Sequence, residues 1–284
     1  MSERPGSAGD SPAAEGDLTE SVMPVALIVV ATGLYSRFLP ELVATARTHM
    51  RGLDRVFVLS DVEPAASDIV RWLPWGHLRW PLPTMMRYRA MLAYRDVLLE
   101  HGGVLVYVDV DMQFAREVDL RGATGLIAVQ HPGYVDSNRS DYPYERRPAS
   151  TSAISPGEGE RYYAGGVQGG DIAVYLDACS VLASWLHDDL SRGVMPIWHD
   201  ESAWNKFCYL HPPQRVLTPD YCSPEHEHNA AARIIALDKD HNLVRQVGRG
   251  KVAAQRARHY LRQLGRAPAR LRRMLSRTGI RPTP

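Results

Sequence analysis

Two aspartates spaced one apart close an apolar run, Val104-Leu105-Val106-Tyr107-Val108-Asp109-Val110-Asp111-Met112. In an extended segment, side chains two residues apart share a face, so both carboxylates fall together. Such charges repel and are costly to bury unpaired. A cation should sit between them: an arginine, a lysine or a hard divalent ion. Asp-x-Asp alone can also pair with arginine or cap a loop. Its chemical reading is Mg²⁺ or Mn²⁺ shared with substrate phosphates, placed to neutralise charge on a departing diphosphate. Arg87 is a candidate for the same anion.

Two further stretches could do chemistry. In "YYAGGVQGGD" (162–171) the glycines come as pairs. The stretch lacks both the spacing of G-x-G-x-x-G and a P-loop lysine. Paired glycines let a ligand approach the backbone closely, or they form a bulge between strands. In "WHDES" (198–202), Asp200 and Glu201 could merely favour the start of a helix. The alternative is a sugar site, with Trp198 stacking on a ring, His199 and Asp200 bonding hydroxyls, and Glu201 facing the reacting carbon.

The elements that position these residues follow from hydrophobic patterning. "PVALIVVAT" (24–32) reads as a buried parallel strand. A helix follows over "YSRFLPELVATARTHM", with Pro40 tolerated in its first turn. "RVFVLSD" (55–61) is a second strand and "HLRWPLP" a short third. Residues 84–101 read as one helix closed by Gly102-Gly103, followed by the strand with the two aspartates. "GLIAVQHPGYV" gives another strand, then a polar loop spans 132–161 and a glycine-rich turn covers 161–171. Asp171 caps a helix running to about Ser191, and a shorter helix begins near Asp200. The alternation predicts an open, mainly parallel α/β sheet, with ligands at the carboxyl ends of its strands.

The composition limits the alternatives. No apolar run reaches the roughly 18 residues that span a bilayer. Residues 1–22 are acidic, the wrong charge for a secretory leader, and their Ser, Gly, Pro and Ala content predicts disorder. Cys179, Cys208 and Cys222 lack metal spacing and fit a reducing compartment as small buried hydrophobes. From residue 249 onward there are ten arginines, one lysine and no acidic residue. The remaining 22 basic residues face 32 acidic ones, a charge of about −10 on residues 1–248. The basic stretch 249–284 has leucines at helical spacing and suits an anionic membrane surface, or it is a solvated tail. Its lack of interleaved aromatics and the acidic body argue against nucleic acid.

The ordered set "RWPLPTMMRYRAML", "VLVYVDVDMQF", "HPGY", "YPYERRP", "RYYAGGVQGG" and "WHDESAWNKF…VLTPDY" resembles the blood-group A/B transferase and α1,3-galactosyltransferase family, glycosyltransferase family 6, from about Val25 to Arg245. The resemblance implies a GT-A fold, a single Rossmann-like sheet flanked by helices over residues 23–248. It implies transfer of GalNAc or Gal from a UDP donor to the 3-hydroxyl of a β-galactoside, with retention. Mn²⁺ or Mg²⁺ and the UDP diphosphate would be held by Asp109, Val110 and Asp111. Val30, Thr32 and Tyr35 would lie around uracil and ribose, and Arg87 would touch the donor. Ala164, Gly165 and Gly166 would set donor choice, small residues leaving room for an acetamido group and favouring UDP-GalNAc over UDP-galactose.

By the same resemblance, Glu201 is the nucleophile or the electrostatic stabiliser of an oxocarbenium-like transition state. Asp200 and His199 would hold donor or acceptor hydroxyls, and Trp198 and His131 the acceptor galactose. "HPGY" resembles the members that use fucosylated acceptors, whereas Pro143 stands where relatives often have a hydroxyl residue. Lys239, His241 and Arg245 would close over the diphosphate, with His241 also on the acceptor side. With no apolar stem visible, the chain reads as a stemless member, and thirty arginines against three lysines suggest a bacterial type. It is expected in the cytoplasm, held at the inner membrane face by the basic stretch while building a glycan or glycolipid. The competing readings are a non-catalytic sugar-binding protein of the same fold and a metal-dependent phosphohydrolase, for which no third metal partner is visible.

Overall fold

The computed structural model describes residues 23–245. The expected disordered stretch 1–22 and the basic tail 249–284 lie outside the described residues. The core is a seven-stranded sheet made of β1 (Val25–Val30), β2 (Leu53–Ser60), β3 (Val70–Pro74), β4 (Val104–Val108), β6 (Leu126–Gln130), β7 (Tyr163–Asp171) and β8 (Arg215–Leu217). Their spatial order is β3-β2-β1-β4-β7-β6-β8. Each contact is parallel except those of β7, which runs antiparallel to β4 and β6. A small second sheet joins β5 (Met112–Phe114), β9 (Ser223–Pro224) and β10 (Ile234–Ala236). This is the GT-A arrangement of a mainly parallel sheet flanked by helices.

The sheet is buried on both faces, which is why its strands read as continuous apolar runs. On β1, Val25, Leu27 and Val29 enter one core while Ala26 and Ile28 enter the other. Helix α1 (Leu39–His49) covers the first face. The second is covered by α3 (Arg87–Leu92), α4 (Arg95–His101), α5 (Ile172–Ser191) and α6 (Asp200–Leu210). Short α2 (Leu82–Met85) precedes α3, and α7 (His241–Arg245) ends the described chain. The three cysteines are free and buried, as expected. Among the described residues no helix is long and apolar enough to cross a membrane.

Several elements differ from the sequence reading. Residues 84–101 form not one helix but α3 and α4 with part of α2, because the chain leaves helical geometry at Met86 (φ −104°, ψ 2°) and Tyr94 (φ −121°, ψ 24°). "HLRWPLP" is an irregular connection into α2, its prolines unable to donate to a ladder. The strand it was expected to supply is β3, whose half-exposed edge pattern is weakly apolar. "YYAGGVQGGD" is a strand, not a turn. At Gly169 an added Cβ would lie 2.4 Å from the Leu105 carbonyl oxygen, and at Gly170 2.2 Å from that of Gly125. The glycines let β7 pass between its neighbours.

Candidate active site

β4 stops at Val108, so Asp109, Val110 and Asp111 form the turn into β5 rather than an extension of the strand. Both aspartates nevertheless line one pocket at the carboxyl end of β4. The start of β7 lies alongside, the Asp109 amide donating to the Gly166 carbonyl at 2.8 Å. β1 brings Val30, and the 3-10 turn after it Thr32 and Tyr35. The break at Met86 puts Arg87 at the head of α3, turned into the protein. Lys239 and Arg245 reach in from the end of the described chain.

Arg87 is 5% exposed and commits its guanidinium to the protein itself. Nη1 donates to the Gly165 carbonyl at 3.0 Å. Nε lies 3.0 Å from Asp200 Oδ2 and Nη2 3.3 Å from Asp109 Oδ1. The guanidinium carbon stands 4.4 Å over the Tyr107 ring, and the Tyr107 hydroxyl donates to Asp109 Oδ1 at 2.5 Å. Asp111 Oδ2 pairs with the Lys239 ammonium. The charge between the aspartates is thus met by an arginine on one and a lysine on the other. Arg245 stacks over Trp80 at 3.6 Å and donates to the Tyr35 hydroxyl at 3.3 Å.

Neither Asp200 nor Glu201 caps α6 with its side chain. Position N-cap is His199, at φ 53° and ψ −126°. This is the second position of a tight turn closed by the Glu201 amide on the Trp198 carbonyl at 3.1 Å. Such a conformation suits glycine, and a histidine there holds strain of about 1–3 kcal/mol. The turn aims Glu201 at β7. The Tyr162 hydroxyl donates to Glu201 Oε1 at 2.7 Å and the Gly165 amide to Oε2 at 2.8 Å. Burial pushes the Asp200 carboxyl up to about 7, with Asp109 and Glu201 adding to the rise and Arg87 opposing it. Burial lowers His199 to about 4, helped by the charges of Arg245 and Arg87, so its imidazole is neutral near pH 7.

The pocket brings together Val30, Thr32, Tyr35, Arg87, Asp109, Val110, Asp111, Gly165, Gly166, Trp198, His199, Asp200, Glu201, Lys239 and Arg245. Ala164 is not in its lining: the methyl is buried in the core with Val108 and Met112. His131, Pro143 and His241 also lie outside the lining. His131 packs against Tyr134 and Tyr162, ring centroids 5.0 and 5.6 Å apart. Pro143 sits between Tyr142 and Tyr144 of the same aromatic cluster, against which Trp198 packs. His241 opens α7, two residues beyond Lys239. Sequence reasoning missed Trp80, Pro83, Thr84 and Tyr107, all in the lining. Tyr107 looked like one more apolar strand residue, and its place two before Asp109 was the available signal.

Could the aspartates hold a metal? Asp111 Oδ2 is buried and accepts no aligned hydrogen bond. No group of three or more His, Cys, Asp or Glu able to hold a metal occurs among the described residues. Two carboxylates suit a hard cation that takes its other ligands from water and substrate phosphates. The donor set fits Mn²⁺ or Mg²⁺ on those terms.

The profile described as "Glycosyltransferase family 6" matches residues 15–246. Histo-blood group ABO system transferase 1 of Rattus norvegicus is 30% identical over 237 residues, covering 78% of this chain and 68% of that protein. Globoside alpha-1,3-N-acetylgalactosaminyltransferase 1 of Canis lupus familiaris is 31% identical over 215 residues, 70% of this chain and 60% of that protein. Alpha-1,3-galactosyltransferase 2 of Homo sapiens is 28% identical over 229 residues, 76% and 67%. The chain therefore spans three fifths to about two thirds of the length of these relatives.

Proposed function

The chain belongs to glycosyltransferase family 6, and from this premise we propose that it moves a sugar from a UDP donor to the 3-hydroxyl of a β-galactoside, forming an α1,3 linkage with retention. GalNAc is the favoured sugar and galactose the second. The observation that carries the reading is Glu201: a carboxylate held by a phenol and a backbone amide, in the same pocket as Asp109 and Asp111 and the cations Arg87, Lys239 and Arg245.

In this reading UDP lies along Val30, Thr32 and Tyr35, and Lys239 and Arg245 neutralise its diphosphate and exclude water. Asp109 and Asp111 would hold Mn²⁺ or Mg²⁺, which when bound supplies positive charge to the departing phosphate. Asp200, tied to Arg87, accepts from sugar hydroxyls, and neutral His199 can donate or accept. The bond from the anomeric carbon to the UDP oxygen breaks, and one to the acceptor oxygen forms. The acceptor's hydroxyl proton ends on the phosphate. Glu201 either attacks the anomeric carbon first, giving two inversions, or remains an anion beside an oxocarbenium-like centre. Acceptor recognition falls to Trp198, His131 and Pro143 at the tyrosine cluster and to His241 at the start of α7, for a galactoside with or without fucose.

The test is UDP release from UDP-GalNAc, UDP-Gal, UDP-GlcNAc and UDP-Glc, each with Mn²⁺ or EDTA and with fucosylated galactosides. Mn²⁺-dependent release from the first two donors is expected, with Glu201→Gln at least about 100-fold slower because the anion is lost. No release from any donor would favour a sugar-binding protein. We further propose a cytoplasmic enzyme held at the inner membrane face by residues 249–284. The support is their charge in sequence, and sedimentation with anionic vesicles tests it.

A further inference from the structure

We propose that Tyr107 is a positioning residue for Asp109, fixing one carboxylate oxygen so that the other is presented to the cation site. The inference rests on the metal reading above and concerns a residue to which that reading gives no role.

Asp109 stands just past the end of β4, with its side chain 36% exposed. An aspartate in such a turn has several open rotamers. Here Oδ1 is engaged twice from one side, by the Tyr107 hydroxyl at 2.5 Å and by Arg87 Nη2 at 3.3 Å. Oδ2 faces Gly166, where an added Cβ would lie 3.1 Å from it and 2.6 Å from the Met112 methyl, so only glycine leaves this oxygen open to the pocket. The phenol is itself immobile. Tyr107 is 3% exposed, paired in register with Ile28 on β1 and Gln168 on β7, and covered by the Arg87 guanidinium.

The two aspartates are therefore held by different chemistry. Asp111 faces a lysine from the end of the described chain, a cation that a bound phosphate can draw away. Asp109 is held by a neutral phenol beside the more distant Arg87, and the phenol orients the carboxylate without adding charge of its own. Arg87, shared between Asp109 and Asp200, cannot orient Asp109 alone. Groups that hydrogen-bond a metal's ligands typically govern about 10–100-fold of metal affinity.

Tyr107→Phe removes the hydroxyl and keeps the ring beneath Arg87. Calorimetric titration of UDP, with Mn²⁺ or EDTA, separates the effects. We expect apparent Mn²⁺ affinity at fixed UDP to fall by about 10-fold or more, with UDP affinity in EDTA and the melting temperature near wild type. In an Asp109→Asn background, the same change should add little. Unchanged Mn²⁺ affinity, or an equal loss of UDP affinity in EDTA, overturns the assignment. A wild-type protein whose UDP binding ignores Mn²⁺ removes the metal reading and this inference with it. That failure is seen in the wild type and so is distinct from the others.

Discussion

Arg87→Met isolates the buried charge network. Its three polar contacts do not weigh equally. The Gly165 carbonyl keeps a second donor, Gln168 Nε2 at 2.9 Å, and Asp109 keeps Tyr107. Asp200, 3% exposed, loses its ion pair. Breaking a buried pair from one side costs about 3–5 kcal/mol, roughly 6–20 °C in melting temperature for a domain of this size. The loss should depend on pH. The Asp200 carboxyl sits at about 7 in the folded protein against 3.8 unfolded. Stability from this group is therefore present at low pH, falls as pH rises from about 4 to 7, and is flat above. Without Arg87 the folded value rises further, so the variant keeps losing about 1.4 kcal/mol per pH unit above 7. The gap between the proteins should widen by about 2 kcal/mol from pH 7 to 8.5. Urea titrations at pH 6, 7 and 8.5 measure it, and Asp200→Asn in the same chain should close the gap. An equal loss at pH 6 and 8.5, or no rescue, would refute the counterion role.

Tyr162→Phe strips one donor from Glu201 and leaves the Gly165 amide. Steady-state kinetics should show kcat lowered roughly 10–100-fold with UDP affinity unchanged. Glu145, 2% exposed, accepts from Arg147 and, through Oε2, from the Ile197 amide at 2.8 Å just before Trp198. Burial pushes its carboxyl up, but these hydrogen bonds outweigh it and leave the group below its usual 4.5. Its stabilisation is thus present above that value and lost as pH falls through the lower folded one. Glu145→Gln should cost about 1–3 kcal/mol at neutral pH, less in acid, and weaken acceptor binding before donor binding. Thermal melts at pH 7 and 4, with separate donor and acceptor titrations, check it.

The aspartate pair, the glycine pairs and the Trp-His-Asp-Glu run were legible because charge or glycine stood where patterning predicted apolar residues or turns. β1, β2 and β4 were legible because burial on both faces leaves unbroken apolar runs. β7 was not, since its glycines serve close packing against Leu105 and Gly125, a tertiary demand with no local periodicity. Arg87 does line the pocket, but sequence could not show that it also faces Asp109, Asp200 and the Gly165 carbonyl. Trp80 and Tyr107 stood inside stretches read as strands, and only the folded chain brings them to the pocket.

The reversal of β7 also decides how phosphate charge can be met. In a sheet of parallel strand–helix units, each helix following a strand begins at the ligand edge and offers its amide dipole to an anion. Here the pocket lies at the carboxyl end of β4 but at the amino end of β7. The long helix α5 follows β7 and therefore starts at the opposite edge. Two short helices do begin at the pocket, but α3 opens with Arg87, whose side chain faces Asp109 and Asp200, and the first turn of α6 carries the acidic Asp200 and Glu201. Among the described residues, an anion in this pocket therefore meets the side-chain cations Lys239 and Arg245 rather than the start of a long helix. Such side chains can swing aside as an anion departs, which a fixed dipole cannot do.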